Sequence, residues 1–199
     1  MAMELVGERW SLLIVRELMF GPRRFGELRG GLPGISANVL TQRLEGLEAS
    51  GICLRRKLPP PASVQVYELT ALGYAAETVI QELGRWAAQS PLHDPTLPLS
   101  PASIMMSFRT MFDSSKAKGL DADIGFRFGD EEFRARISGG ELHVRRAEAA
   151  GADVIVAGTP MELGAVVYDG QPLDLVAVAG DRTLATRFTA LFELPPKLG

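Results

Sequence analysis

A chain of 199 residues with 46% hydrophobic and 23% charged residues has the makeup of a globular protein, able to bury one large core or two small ones. No apolar run approaches the roughly 18 residues a membrane span needs. The opening MAMELVGERWSLLIVRELMF, with Glu4 and Glu8 beside Arg9, makes a poor signal peptide. One cysteine, Cys53, excludes an internal disulfide, and His93 and His143 stand far apart without metal-ligand spacing, so a reducing, cytoplasmic setting with no metal and no cofactor is expected.

The net charge of −3 is unevenly spread. Residues 1–90 hold 10 Lys+Arg against 9 Asp+Glu, whereas residues 91–199 hold 11 against 15, so the acidic excess belongs to the second half. Residues 1–60 carry 9 basic and 6 acidic side chains, a balance permissive for a polyanionic partner.

In chain order, Val6, Trp10, Leu13 and Ile14 recur at helical spacing, which predicts one helix through ELVGERWSLLIVRELM. FGP at 20–22 ends it. RRFGELRG reads as a short second helix with Phe25 and Leu28 inward, and Arg23 and Arg24 at its start suit phosphate. After the tight turn GLPGI, Ser36 caps a third helix. Leu40, Leu44 and Leu47 form its apolar back, while Asn38, Thr41, Gln42 and Glu45 occupy the opposite arc with Arg43 on the flank. Amides and hydroxyls on such an arc read base edges without a large bound charge to desolvate. An ordinary amphipathic helix has the same pattern.

Next, GICLRRKLPPPASVQVYELT predicts two strands joined by a proline-bearing tip, the construction of a wing. Arg55, Arg56 and Lys57 beside that tip are placed to meet phosphate, or form a solvated charge run. SPLHDPTLPLSPAS (90–103) reads as a linker or surface loop. The expected division is residues 1–90 for DNA binding and dimerisation, 91–102 for the linker, and 103–199 for a second domain.

The run GERWSLLIVRELMFGPRRFGELRGGLPGISANVLTQRLEGLEASGI, followed by YELTALG, closely resembles the HxlR-type winged helix-turn-helix transcriptional regulators over residues 3–89. That resemblance implies a homodimer on a pseudo-palindromic double-stranded DNA operator, with the third helix in the major groove and the wing on the backbone. The family's recognition helix falls on Ser36–Gly46, so Ser36, Asn38, Thr41, Gln42 and Arg43 inherit the contact role. Subunit pairing would use the first helix and ALGYAAETVIQELGRWAAQ, where Ala75, Val79, Leu83 and Trp86 form an apolar stripe; packing within one subunit is the other reading of that stripe. Several family members sense oxidants through a cysteine just before the first helix, and that cysteine is missing from this sequence. Cys53 lies between Ile52 and Leu54, as a structural buried thiol would.

In the second half, Ile104, Met105, Phe108, Met111 and Phe112 give a helix with a wide apolar face. DIGFRFGDEEFRARISGGELHVRR then alternates strictly, predicting an antiparallel meander with turns at GDEE and SGGE. Thr159, Pro160 and Glu162 open another helix with a capping box, and Asp181 caps a last one carrying Leu184, Phe188, Leu191 and Phe192. The expected fold class is therefore α+β: a winged helix-turn-helix followed by an antiparallel sheet with helices on one face.

The strand and helix order over residues 101–193 resembles the sterol carrier protein type 2-like fold, which implies an apolar tunnel between sheet and helices. Met105, Phe108, Met111, Phe112, Phe126 and Phe188 would line it for a small apolar effector, or simply fill a core. No Gly-rich phosphate loop, nucleophile elbow or His–Glu metal pair is present, so catalysis is not expected. Together these point to an effector-controlled, sequence-specific regulator. The alternative is a lipid or sterol-type carrier whose N-terminal half serves only dimerisation.

Overall fold

The computed structural model describes residues 1–198. The chain divides into two compact units, Met1–Ile80 and Gln81 onward. The first holds α1 (Ala2–Val6), α2 (Ser11–Leu18), α3 (Phe25–Gly30), α4 (Ala37–Ala49), the hairpin β1 (Cys53–Lys57) and β2 (Gln65–Leu69), and α5 (Ala71–Ala75). A sixth helix, α6 (Glu77–Ala88), begins in the first unit and ends in the second.

The expected first helix is two. Trp10 takes φ 82°, a left-handed conformation that costs an ordinary residue about 1–2 kcal/mol, and the chain changes direction there. The break rotates α2 so that Ile14, Val15 and Leu18 face the core at 0% exposure, while Leu13 is left 38% exposed. These three pack with Leu28 of α3 and with Leu40, Leu44 and Leu47 of α4, all buried. Ser36 caps α4, its hydroxyl accepting from the Val39 N–H at 3.2 Å. Beneath the α3–α4 turn lies the buried carboxylate of Glu17, paired with Arg16 at 2.9 Å. A Cβ on Gly31 would stand 2.7 Å from its Oε2, so a larger residue there would have to push the carboxylate aside.

The hairpin is antiparallel, with Arg55 opposite Tyr67. Tyr67 also exchanges two backbone hydrogen bonds with Arg23, at 2.9 and 2.8 Å, which adds a one-residue third strand.

The second unit comprises the latter part of α6, α7 (Pro101–Met111), β3 (Ala122–Phe128), β4 (Glu131–Ser138), β5 (Glu141–Arg146), β6 (Val154–Ala157), α8 (Pro160–Tyr168), β7 (Ala177–Gly180) and α9 (Arg182–Thr189). Ser100, Thr159 and Asp181 cap α7, α8 and α9 through their side chains, and Thr159 with Glu162 completes a capping box. The sheet order is β5-β4-β3-β6-β7. Strands β3, β4 and β5 form the antiparallel meander, but β6 runs parallel to β3, so the sheet is mixed and not wholly antiparallel as expected.

The path after β5 explains the parallel pair. Residues 147–152 cross the face of the sheet at Gly125, where an added Cβ would lie 2.8 Å from the Ala149 Cβ, and deliver the chain to the start of β3. Arg134 donates to the Ala150 carbonyl at 2.7 Å and pairs with Asp123, and the Glu132 carboxylate accepts from the Ala149 N–H at 2.7 Å. The Arg134 guanidinium holds the Asp123 carboxyl below its usual range, and the Ala149 N–H does the same for Glu132. Groups whose acidity rises on folding stabilise the fold above the unfolded carboxylate range and lose that contribution as the pH falls through their folded values. The melting temperature of the chain is therefore expected to drop as the pH falls below about 4, and Asp123→Asn to flatten that drop in a pH series of thermal melts.

The opposite face carries Ile124, Phe126, Phe133, Ala135 and Ile137 at 0% exposure, covered by α7 and α9. Within this unit the far end of α6 is docked: Arg85 donates to the Thr110 carbonyl at 2.6 Å, and the Lys197 ammonium donates to the Ala88 carbonyl at 2.9 Å. The outward face of α6 leaves Val79 53%, Leu83 42% and Trp86 71% exposed. No described helix is long and apolar enough to cross a membrane.

Candidate nucleic-acid interface

With its three leucines buried, α4 turns Asn38, Thr41 and Gln42 outward together, all exposed and near its capped N-terminus. Ser36 is exposed too, but its hydroxyl is occupied by the cap. Backbone and side chains at this end of α4 offer hydrogen-bond donors and acceptors and no fixed charge, the chemistry that base edges in a groove complement.

Arg43 departs from the expected arrangement. Its guanidinium turns back to the segment joining α1 and α2, where Nη2 meets Glu8 at 2.8 Å and Nε donates to the Arg9 carbonyl at 3.1 Å. Arg23 departs further. It is 7% exposed because its backbone is stitched to Tyr67, and its side chain lies against Glu27, so it presents nothing to a phosphate. Arg24, the next residue, is exposed at the start of α3, where the Glu27 carboxylate accepts from its N–H at 2.8 Å.

On the hairpin, Arg55, Arg56 and Lys57 are all exposed. Strand alternation separates them: Arg56 pairs across the hairpin with Glu68, and Arg55 lies 3.9 Å from Glu48 of α4. The structure thus keeps the basic character of the hairpin and shares part of it with acidic neighbours.

Glu8 and Glu17 were not among the expected site residues. Glu17 carried a signal, since it falls three residues after Ile14 on the apolar arc of α2, where a carboxylate needs a partner. Glu8 carried none, because its partner is 35 positions away.

Cys53 is 2% exposed, its sulfur 4.0 Å from the Leu44 carbonyl, and burial followed by the nearby Glu48 pushes its thiol up to about 12. A thiol so protonated is a poor nucleophile. Iodoacetamide is expected to leave Cys53 unmodified in the native chain at pH 7.5 and to label it once urea is added. Mass spectrometry reads the difference, and rapid native labelling would contradict the burial.

In the second unit, Met105, Phe108, Phe126 and Phe188 are buried at 0–1% exposure, and Met111 and Phe112 are half-buried. Phe192 joins them, stacking on Phe108 at 4.6 Å and meeting Phe188 edge-on at 4.9 Å. Phe108 also lies 5.4 Å from Phe188 and 5.8 Å from Phe126. The rings fill the space where a tunnel was expected. An open recess of about 340 Å³ lies at the loops lined by Lys118, Leu120, Asp121 and Gly139, and none of the six expected lining residues reaches it. Between α8 and α7, Tyr168 and Ser107 share a 2.9 Å hydroxyl hydrogen bond, and burial holds the phenol well above its usual range. Among the described residues, no group of three His, Cys, Asp or Glu side chains is placed to hold a metal ion.

Comparison with known proteins locates this architecture. Residues 5–93 match the HxlR-like helix-turn-helix family. The chain is 42% identical over 88 residues to the HTH-type transcriptional regulator YodB of Bacillus subtilis (strain 168), covering 44% of this chain and 79% of that one. It is 36% identical over 89 residues to the uncharacterized HTH-type regulator YvaP of the same organism, covering 44% and 82%. A solved structure of the reduced form of YodB is 40% identical, covers 47% of this chain and 92% of that one, and gives a TM-score of 0.43. The chain belongs to the HxlR-like helix-turn-helix family, and its first unit is that of a DNA-binding transcriptional regulator.

Proposed function

We propose that the chain regulates transcription as a homodimer that reads a pseudo-palindromic operator and answers to a small apolar effector. The observation that carries the DNA half is the trio Asn38, Thr41 and Gln42, exposed on a helix whose opposite side is buried leucine and flanked by a basic hairpin. The recognition helix enters the major groove, while Arg24, Arg55, Arg56 and Lys57 meet phosphate and fix register. The exposed stripe of Val79, Leu83 and Trp86 on α6, continued by Ala75, pairs the two subunits. Residues 1–90 serve binding and dimerisation, 91–102 link, and 103–199 form a sterol carrier-like sensor.

What supports the sensor reading is a methionine- and phenylalanine-rich helix laid over a sheet, with one hydroxyl pair joining that helix to α8. Because the rings pack against one another, an effector has to part them. Phe192 follows the end of α9 and lies outside both the helices and the sheet, tied by a single backbone bridge to Phe112, so it is the ring whose displacement opens the cluster. The cost of opening lowers the apparent affinity by the fraction of open molecules.

Fluorescence anisotropy with the chain's own upstream DNA and with random duplex, at two salt concentrations, tests the first half. A preference for the upstream sequence that survives added salt supports it, whereas equal, salt-abolished binding points to a carrier whose first unit only dimerises. For the second half, native mass spectrometry of purified protein is expected to show a bound lipid-like molecule. Its absence, with no shift in melting temperature on adding fatty acids or sterols, reduces the second unit to a structural part.

A further inference from the structure

Arg43 sits next to Gln42 on the recognition helix, yet its guanidinium is committed elsewhere. Its side chain is 25% exposed, with Nη2 on the Glu8 carboxylate at 2.8 Å and Nε on the Arg9 carbonyl at 3.1 Å. The Arg9 carbonyl belongs to the peptide that leads into Trp10, the residue held at φ 82°. The Arg9 guanidinium in turn lies 5.4 Å from the centre of the Trp10 ring. A left-handed tryptophan persists only where its surroundings over-determine it, and the bond from Arg43 is one of the restraints on that turn.

We propose that Arg43 is a positioning residue and Glu8 its partner: together they latch the recognition helix to the turn between α1 and α2 and so set the angle at which Asn38, Thr41 and Gln42 are presented. Two bonds of different kinds, one to a carboxylate and one to a carbonyl, fix the guanidinium plane, which a lysine ammonium cannot reproduce. The proposal rests on the DNA-reading role of α4. It also assigns Glu8 a part that its charge argues against, since a carboxylate near a polyanion opposes binding.

That opposition gives the test its sign. Operator and random-duplex affinities are measured by anisotropy over a salt series for the full chain and for Glu8→Gln, Arg43→Ala, Arg43→Lys and the Glu8→Gln/Arg43→Ala pair. Glu8→Gln is expected to weaken operator binding about three- to tenfold although it removes a negative charge. Arg43→Ala does the same, and the pair is no weaker than Arg43→Ala alone, the coupling expected of residues in contact. The slope of log affinity against log salt stays that of the unaltered chain, and Arg43→Lys restores the loss only in part. Operator affinity that is unchanged or raised by Glu8→Gln overturns the latch, as does a salt slope reduced by about one in Arg43→Ala, which marks a direct phosphate contact. If the unaltered chain shows no operator preference, the DNA-reading role itself fails, and that outcome is read before any variant. Should Arg43→Ala unfold, Glu8→Gln, altering an exposed side chain, decides the matter alone.

Discussion

Gln42→Ala is expected to cut the preference for operator over random duplex by roughly 5- to 150-fold, the 1–3 kcal/mol that a bidentate contact to a base is worth. Gln42 is exposed on α4, and the helix beneath it is held by Leu40, Leu44 and Leu47, none above 1% exposure, and by the Ser36 cap, so the substitution removes the reading group and leaves its scaffold. Asn38→Ala, one turn nearer the cap, is expected to act in the same direction. Arg56→Ala provides the contrast. It weakens operator and random duplex alike, and modestly, because Glu68 already shares its charge. Anisotropy on both duplexes reads all three. Equal losses on the two sequences for Gln42 and Asn38 would remove α4 from the major groove.

Phe108→Ala is expected to destabilise the second unit by about 3–5 kcal/mol, read as a lower urea midpoint with the same slope. The ring is fully buried and touches Phe126, Phe188 and Phe192, so truncation opens a hole at the meeting point of α7, α9 and the sheet and breaks three ring contacts at once. Phe108→Leu keeps most of the volume and is expected to cost less than half as much. A loss below about 1 kcal/mol for the alanine variant would mean that the cluster is loose in solution.

The two units differ in how much of them the residue order disclosed. Period and punctuation announced the reader: leucines at 40, 44 and 47, a serine before them and a proline-tipped basic hairpin after them each have a local cause. The meander was equally plain, because Phe126 and Phe133 alternate with charged neighbours and glycines mark the turns. The parallel pairing of β6 was not. The stretch Val154–Ala157 is a short apolar run that gives no sign of direction, and its orientation is decided by a loop that crosses Gly125. The break at Trp10 was hidden for a different reason. Tryptophan disfavours a left-handed backbone, and the side-chain hydrogen bond made to the peptide before it comes from Arg43 on α4, far along the chain. Arg43 looked like a reader because its position on the helix is right, and only the location of Glu8 shows where the guanidinium goes. The aromatic cluster is legible as a set of residues, but whether it lines a tunnel or fills a core is left open, since composition does not distinguish a wall from a filling.

Helix α6 limits how the molecule can be taken apart. Its Ala88 end is covered by the C-terminal tail and α7, while Val79, Leu83 and Trp86 look outward. A protease cut in the proline-rich stretch after Ser90, or a fragment expressed to that point, would part the far end of α6 from the rest of the second unit, within which it is docked. Ala88 is only 2% exposed in the intact chain, and it would lose its cover together with the hydrogen bonds that close the end of the helix. Cutting the chain after Ser90 therefore divides the second unit, whose first element is the far end of α6.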